Sequence, residues 1–305
     1  MKKVLLATDG SEPALQAARF VARLPHDGPL ELIVVTAVFV SGREKTLLDS
    51  DWIAACLAQE RKQADQAYKS VVEMFEGANV SLRQVVREGL PAETIVQVAN
   101  EVRPDLVVIG ATGHSAIARV LLGSTSDYIA THAPCSTLVV RPNQASTQNH
   151  PLQVTIGYDE TGPAQAALEE FAEFRWGSST KADVVTVATT PALQSLAGGK
   201  SEDDQRLTQH AVDDAAQQIR EVAPNAIGRI VNGDHVGEGL VKFVESNRAD
   251  LLIVGETPRT RLNRMLMGSM TRFVLRHAPC SVWITRNRMI EGVKKGTSKS
   301  TVASQ

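Results

Sequence analysis

The sequence predicts two consecutive α/β units, each a doubly wound, five-stranded parallel sheet covered by helices on both faces. Three observations carry this expectation. The chain repeats itself once along its length, and each half alternates short apolar runs with segments of helical periodicity. Its 305 residues suit two domains of about 150 residues.

The repeat is the strongest signal. Asp105-Leu106-Val107-Val108-Ile109-Gly110 recurs as Asp250-Leu251-Leu252-Ile253-Val254-Gly255, and His132-Ala133-Pro134-Cys135-Ser136 recurs letter for letter as His277-Ala278-Pro279-Cys280-Ser281. Between these anchors Thr112, Arg119, Leu121, Gly123 and Ser124 match Thr257, Arg264, Leu266, Gly268 and Ser269 at one constant offset. Asp9, Pro13, Ala14 and Ala17 match Asp159, Pro163, Ala164 and Ala167, so a whole domain is duplicated. Two copies of this length make a pseudo-symmetric pair rather than a solenoid. The expected division is a first domain over residues 1–142, a polar, proline-bracketed linker over 143–151, a second domain over 152–287 and a mobile Lys-, Ser- and Thr-rich tail over 288–305.

In the first half, the apolar run 4–8 predicts a strand and 14–24 a helix, with Ser11 as its N-cap and Pro13 in its first turn, where a missing amide costs nothing. Residues 30–38 predict a second strand, and the charged, amphipathic stretch 51–75 a long helix. Residues 80–86 alternate as a strand, 91–102 are helical, 106–109 form a wholly apolar strand, 125–131 a helix and 137–140 a last strand. Ligands in such sheets bind beyond the carboxyl ends of the strands, near the switch in strand order. The last strands, 137–140 and 282–285, are expected to pair between the domains and so remove exposed sheet edges.

Composition excludes several classes of function. A net charge of -2 without a long basic block argues against nucleic-acid binding, and no apolar run is long enough to cross a membrane. Asp9 interrupts the apolar start before it reaches the length of a signal peptide, so a first buried strand is expected there. Three cysteines, Cys56, Cys135 and Cys280, with no close pair, imply neither a disulfide framework nor a zinc ribbon, and fit a reducing cytoplasm. Cys135 and Cys280 are expected to be buried small hydrophobes, and His132 and His277 structural residues beside a strand start.

The chemistry concentrates at the end of the fourth strand. Gly110-Ala111-Thr112-Gly113 is followed after nine residues by Gly123-Ser124-Thr125, which opens a helix. Glycines let a phosphate approach backbone amides, and a helix start offers unpaired N–H groups at a positive dipole end. Ser124 could cap that helix or donate its hydroxyl to a phosphate, and Asp9 could reach across the crevice to a ribose hydroxyl or to Mg²⁺ carried by the phosphates. Taken alone, glycines after a strand also serve as plain turns. Together with Asp9-Gly10-Ser11 and Ala133-Pro134-Cys135-Ser136, the spacing resembles the universal stress protein (UspA-like) family over both domains, in a tandem arrangement.

That resemblance implies a Rossmann-like fold of the adenine nucleotide alpha hydrolase type, ATP or another adenine nucleotide as ligand, and dimerisation through the last strands, here as an intramolecular pseudo-dimer with a further homodimer left open. It places the nucleotide against Ala7, Thr8, Asp9, Ala37, Ile109, Gly110, Gly113, His114, Gly123, Ser124 and Thr125. Ala7 departs from the proline often found at its position. The second domain departs further, because Gly255-Glu256-Thr257-Pro258 puts proline where the second glycine belongs and removes an N–H donor. Asp159, Val187, Gly255, Gly268 and Ser269 there mark a vestigial site, with Arg259, Arg261 and Arg264 as the makings of a different anion site.

No Gly-x4-Gly-Lys-Ser/Thr loop, no protein-only metal site and no clear general base occur. The expected function is therefore adenine-nucleotide binding as a regulatory signal in the stress response, with slow or no hydrolysis. Its rivals are an ATP-hydrolysing enzyme and a nucleotide-free interaction scaffold.

Overall fold

The computed structural model describes residues 2–26, 28–39, 50–112, 122–142, 150–189, 202–256 and 267–286. Gly113, His114, Pro258, the arginines at 259, 261 and 264, most of the linker and the tail lie outside the described residues.

The first half runs β1 (Lys2–Ala7), α1 (Glu12–Arg23), β2 (Leu30–Val38), α2 (Ser50–Met74), β3 (Val80–Glu88), α3 (Pro91–Val102), β4 (Leu106–Gly110), α4 (Ser124–His132) and β5 (Ser136–Val140). The second repeats it as β6 (Gln153–Gly157), α5 (Gly162–Ala172), β7 (Lys181–Ala188), α6 (Glu202–Gln218), β8 (Ile227–Asn232), α7 (Val236–Ser246), β9 (Leu251–Gly255), α8 (Ser269–His277) and β10 (Ser281–Thr285). Ser11 caps α1 as expected, its Oγ accepting the Ala14 N–H at 3.4 Å, and Thr161 does the same for α5.

All ten strands form one sheet in the order β3-β2-β1-β4-β5-β10-β9-β6-β7-β8. Every neighbouring pair is parallel except β5 and β10, which run antiparallel with Val139 opposite Val282, Leu138 opposite Trp283 and Thr137 opposite Ile284. The last strands thus join the two halves, as expected from the edge-strand argument.

Adjacent strand residues serve opposite cores, because side chains alternate across a pleated strand. Leu6 and Val34 pack with Phe20 of α1 and Val71 of α2, whereas Leu5 and Ile33 pack with Ile95 of α3 and Ile129 of α4. The second half follows suit, with Phe171 and Val212 on one face and Leu240 and Val274 on the other.

Polar contacts reinforce the junction. Arg141, directly after β5, donates to the Leu275 carbonyl at the end of α8 at 2.7 Å. Arg286, directly after β10, reaches back to the Ala130 and Ala133 carbonyls at the end of α4. Burial lowers the Arg141 pKa from its ordinary value. Ser136 donates to the buried Glu170 of α5 at 2.7 Å, and Lys2 pairs with Glu173. Phe174 meets Trp283 edge-on, with ring centroids 5.4 Å apart.

Candidate functional site

In the first half the strand order reverses between β1 and β4, so the loops leaving their carboxyl ends diverge and leave a crevice. Three features shape it. At the end of β1, the Thr8 amide donates to the Val35 carbonyl at 2.9 Å, extending the ladder by one bond. Gly10 then turns with φ 77°, its amide donating to Thr8 Oγ1 at 3.1 Å, while the Ser11 amide donates to Asp9 Oδ1 at 3.0 Å. The turn therefore holds the Asp9 carboxylate at the rim through one oxygen.

At the end of β4, glycine is required for packing. A Cβ on Gly110 would lie 2.8 Å from the Pro13 carbonyl oxygen, because the first turn of α1 rests on the strand there. Gly255 is tighter still, at 2.1 Å from the Pro163 oxygen. These two glycines are thus explained by helix-on-strand contact alone.

The third feature is the start of α4. Gly123, in an extended conformation, is its N-cap and provides no side-chain cap, and the Gly123 amide itself donates to the Ala111 carbonyl at 2.8 Å. Ser126 is buried and donates its hydroxyl to the Gly110 carbonyl at 2.8 Å. These two bonds fasten the helix to the end of β4. The first intrahelical bond is Asp127 N–H to the Gly123 carbonyl at 2.9 Å, so among the described residues the amides of Ser124, Thr125 and Ser126 have no main-chain partner. Ser124 is the first helical residue, not the cap that the sequence allowed.

Together these elements enclose a cavity of about 320 Å³. Ala7, Thr8, Asp9, Ala37, Ile109, Gly110, Gly123, Ser124 and Thr125 all line it, leaving of the expected set only Gly113 and His114, outside the described residues. Ala14, Pro91, Ile95, Thr112 and Ser126 also line it and were missed. Ile95 carried a signal, since helical spacing places it on the buried face of α3; Ser126 carried none. Asp9 is the sole charged side chain among the described lining residues, and the amino end of α4 borders the cavity with the positive pole of its helix dipole.

The second half packs the counterpart positions differently. Val35 pairs with Ala7 and Val185 with Gly157, which makes Val187 the counterpart of Ala37. Val187 pushes its methyls against Gly239 and Gly233, and a Cβ on Gly239 would lie 2.6 Å from Val187 Cγ1. Leu240 presses on Gly157, its Cδ1 3.2 Å from a Cβ there. Asp159 accepts from Thr161 Oγ1 at 2.6 Å, and Ser269 follows the N-cap Gly268 just as Ser124 follows Gly123. Glu256 is buried and paired with Arg286.

The other singled-out residues sit apart from the cleft. Cys135 and Cys280 are buried as expected, and burial pushes each thiol up to about 12. His132 and His277 lie exposed in the last turns of α4 and α8, not beside a strand start, and stack on Tyr128 and Phe273 with centroids 4.0 and 4.1 Å apart. Among the described residues no cluster could hold a metal ion, and no helix is long and apolar enough to cross a membrane.

Comparison with known proteins agrees with the duplication. A universal stress protein of Methanocaldococcus jannaschii is 32% identical over 142 residues, which cover 46% of this chain and 82% of the relative. A universal stress protein of Mycolicibacterium smegmatis is 25% identical over 295 residues, covering 93% of this chain and 97% of the relative. The crystal structure of a universal stress protein from Archaeoglobus fulgidus superposes with a TM-score of 0.67 at 17% identity, over 93% of this chain and 98% of the other. The model of the universal stress protein family matches residues 1–141 and again residues 152–286, and the chain therefore belongs to that family as a tandem member.

Proposed function

We infer that the first domain binds an adenine nucleotide and that the chain acts as a nucleotide-responsive stress-response regulator. The observation that carries this reading is the first turn of α4: the amides of Ser124, Thr125 and Ser126, without a main-chain partner among the described residues, and the hydroxyls of Ser124 and Thr125 belong to residues that line the same cavity as Asp9, Ala7 and Ala37. Unpaired helix-start amides attract phosphate, and the small side chains at positions 7 and 37 leave room for a flat base. Asp9 stands at the rim, suited to a ribose hydroxyl or to nucleotide-borne Mg²⁺.

The second domain is read as the structural partner, since proline replaces the second glycine of its motif and the branched Val187 stands where the first domain has Ala37. Slow or no turnover fits the lining. Stabilising charge on a leaving phosphate calls for a cation or a positioned donor set, and the described lining residues include no Lys, Arg or His.

Isothermal titration of the intact chain with MgATP tests the reading, with one nucleotide per chain expected. Two sites of equal affinity would return a functional pocket to the second domain. No heat, together with no shift in melting temperature at saturating ATP, would leave a scaffold; a ligand at 100 times its Kd adds about 2.7 kcal/mol and is readily seen.

A further inference from the structure

We propose that Arg286, clamped by Glu256, is a positioning residue for the nucleotide site of the opposite domain. The proposal rests on the reading of the first-domain cleft as that site. Arg286 follows the last strand of the second domain, but its side chain lies against the first. Its backbone amide donates to Ser136 Oγ at 2.9 Å, its Nη1 to the Ala133 carbonyl at 3.2 Å and its Nη2 to the Ala130 carbonyl, while Nε pairs with Glu256 Oε2. The side chains of Arg286 and Glu256 are only 7% and 8% exposed, so the pair is held in a dry setting where its geometry is fixed.

The helix that Arg286 caps is the one whose other end borders the cleft. At nine residues, α4 spans about 13 Å and is too short to be stable by itself. Its place is set by its buried face and its two ends. The amino end is tied to β4 through Gly123 and Ser126, and the carboxyl end is held by the guanidinium of the other domain. A phosphate at the first end and an arginine at the second both complement the helix dipole.

The pseudo-symmetric mate shows what is particular about this clamp. Arg141 caps α8 in the same way, through the Leu275 and Arg276 carbonyls. The residue in the first half corresponding to Glu256 is Ala111, and the Arg141 Nε is a buried donor with no hydrogen-bond partner among the described residues. The carboxylate therefore anchors the arginine beneath the first-domain cleft, whereas the arginine beneath the second-domain helix α8 has alanine in that place. In this light Glu256, at the end of β9 where the second glycine of the motif is lost from the sequence, serves to brace the neighbouring domain.

Titration of the full-length chain with MgATP, well below the melting temperature, tests this with Arg286→Gln, Glu256→Gln and Arg141→Gln. Arg286→Gln is expected to weaken ATP binding about five- to tenfold and Glu256→Gln about threefold, with Arg141→Gln within about twofold of wild type despite losing an equivalent cap. Amide exchange should rise across α4 in Arg286→Gln and across α8 in Arg141→Gln. Wild-type affinity in Arg286→Gln, or equal weakening in Arg141→Gln, would overturn the proposal by reducing the clamp to a generic interface contact. Should Arg286→Gln fail to melt cooperatively, Glu256→Gln decides alone, and wild-type affinity there is equally fatal. A wild-type chain that takes up no ATP would instead defeat the nucleotide reading itself, and this proposal with it.

Discussion

Two methyl groups separate Ala37, in the lining of the first-domain cleft, from its counterpart Val187. Ala37 and Val187 hold equivalent places beside the central strand, and the larger side chain is accommodated because position 239 on the facing helix is glycine where the first domain has Thr94. With Thr94 in place of that glycine, Ala37→Val should crowd the first-domain cleft and weaken ATP binding about tenfold by titration calorimetry, since overpacking costs about 1–3 kcal/mol. Unchanged affinity would place the base elsewhere. The thiols give a second residue-scale test. Cys135 and Cys280 ionise near 12 when folded against a reference value of 9.0, so the unfolded chain loses these protons first. Their share of stability is present below pH 9 and is lost as pH rises towards 12. Urea unfolding of the wild type and the Cys135→Ala/Cys280→Ala variant across that window should show a shallower alkaline decline in the variant.

Among the elements, the antiparallel pair β5 and β10 and the short helix α4 matter most. Trp283 sits in the central strand β10, buried at 2% exposure and edge-on to Phe174. Trp283→Ala should destabilise the chain by about 3–5 kcal/mol in denaturant unfolding, in keeping with large aromatic deletions from packed cores. A loss below about 1 kcal/mol would mean that the junction repacks freely. The extent and type of these elements could be read from the sequence, because a wholly apolar run such as residues 106–109 has no solvated face and must be covered on both sides. What the sequence concealed was the use of particular groups at element ends. Gly123 looked like a phosphate-binding amide, yet its N–H is spent on the Ala111 carbonyl. Gly110 looked like a ligand glycine and proves indispensable to the seat of α1.

For the whole molecule, one sheet of ten strands leaves just two edges, β3 and β8, at its far ends. Residues 1–142 expressed alone would bare β5 and are expected to dimerise through it, seen by sedimentation as twice the mass of the fragment; a monomeric fragment would show that β5 pairs only when tethered. The sequence by itself determined the duplication, the order of strands and helices and the joining of the last strands, because these follow from periodicity, motif spacing and the need to cover apolar edges, while the family resemblance pointed to nine described residues that line the cleft. Only the tertiary structure decided that Val187 packs on Gly239 and Gly233, that Glu256 pairs with Arg286, and that each terminal arginine caps a helix of the opposite domain. Those are contacts between residues as far as 156 positions apart, and no local pattern can say which of two buried partners a side chain will meet once the halves are packed.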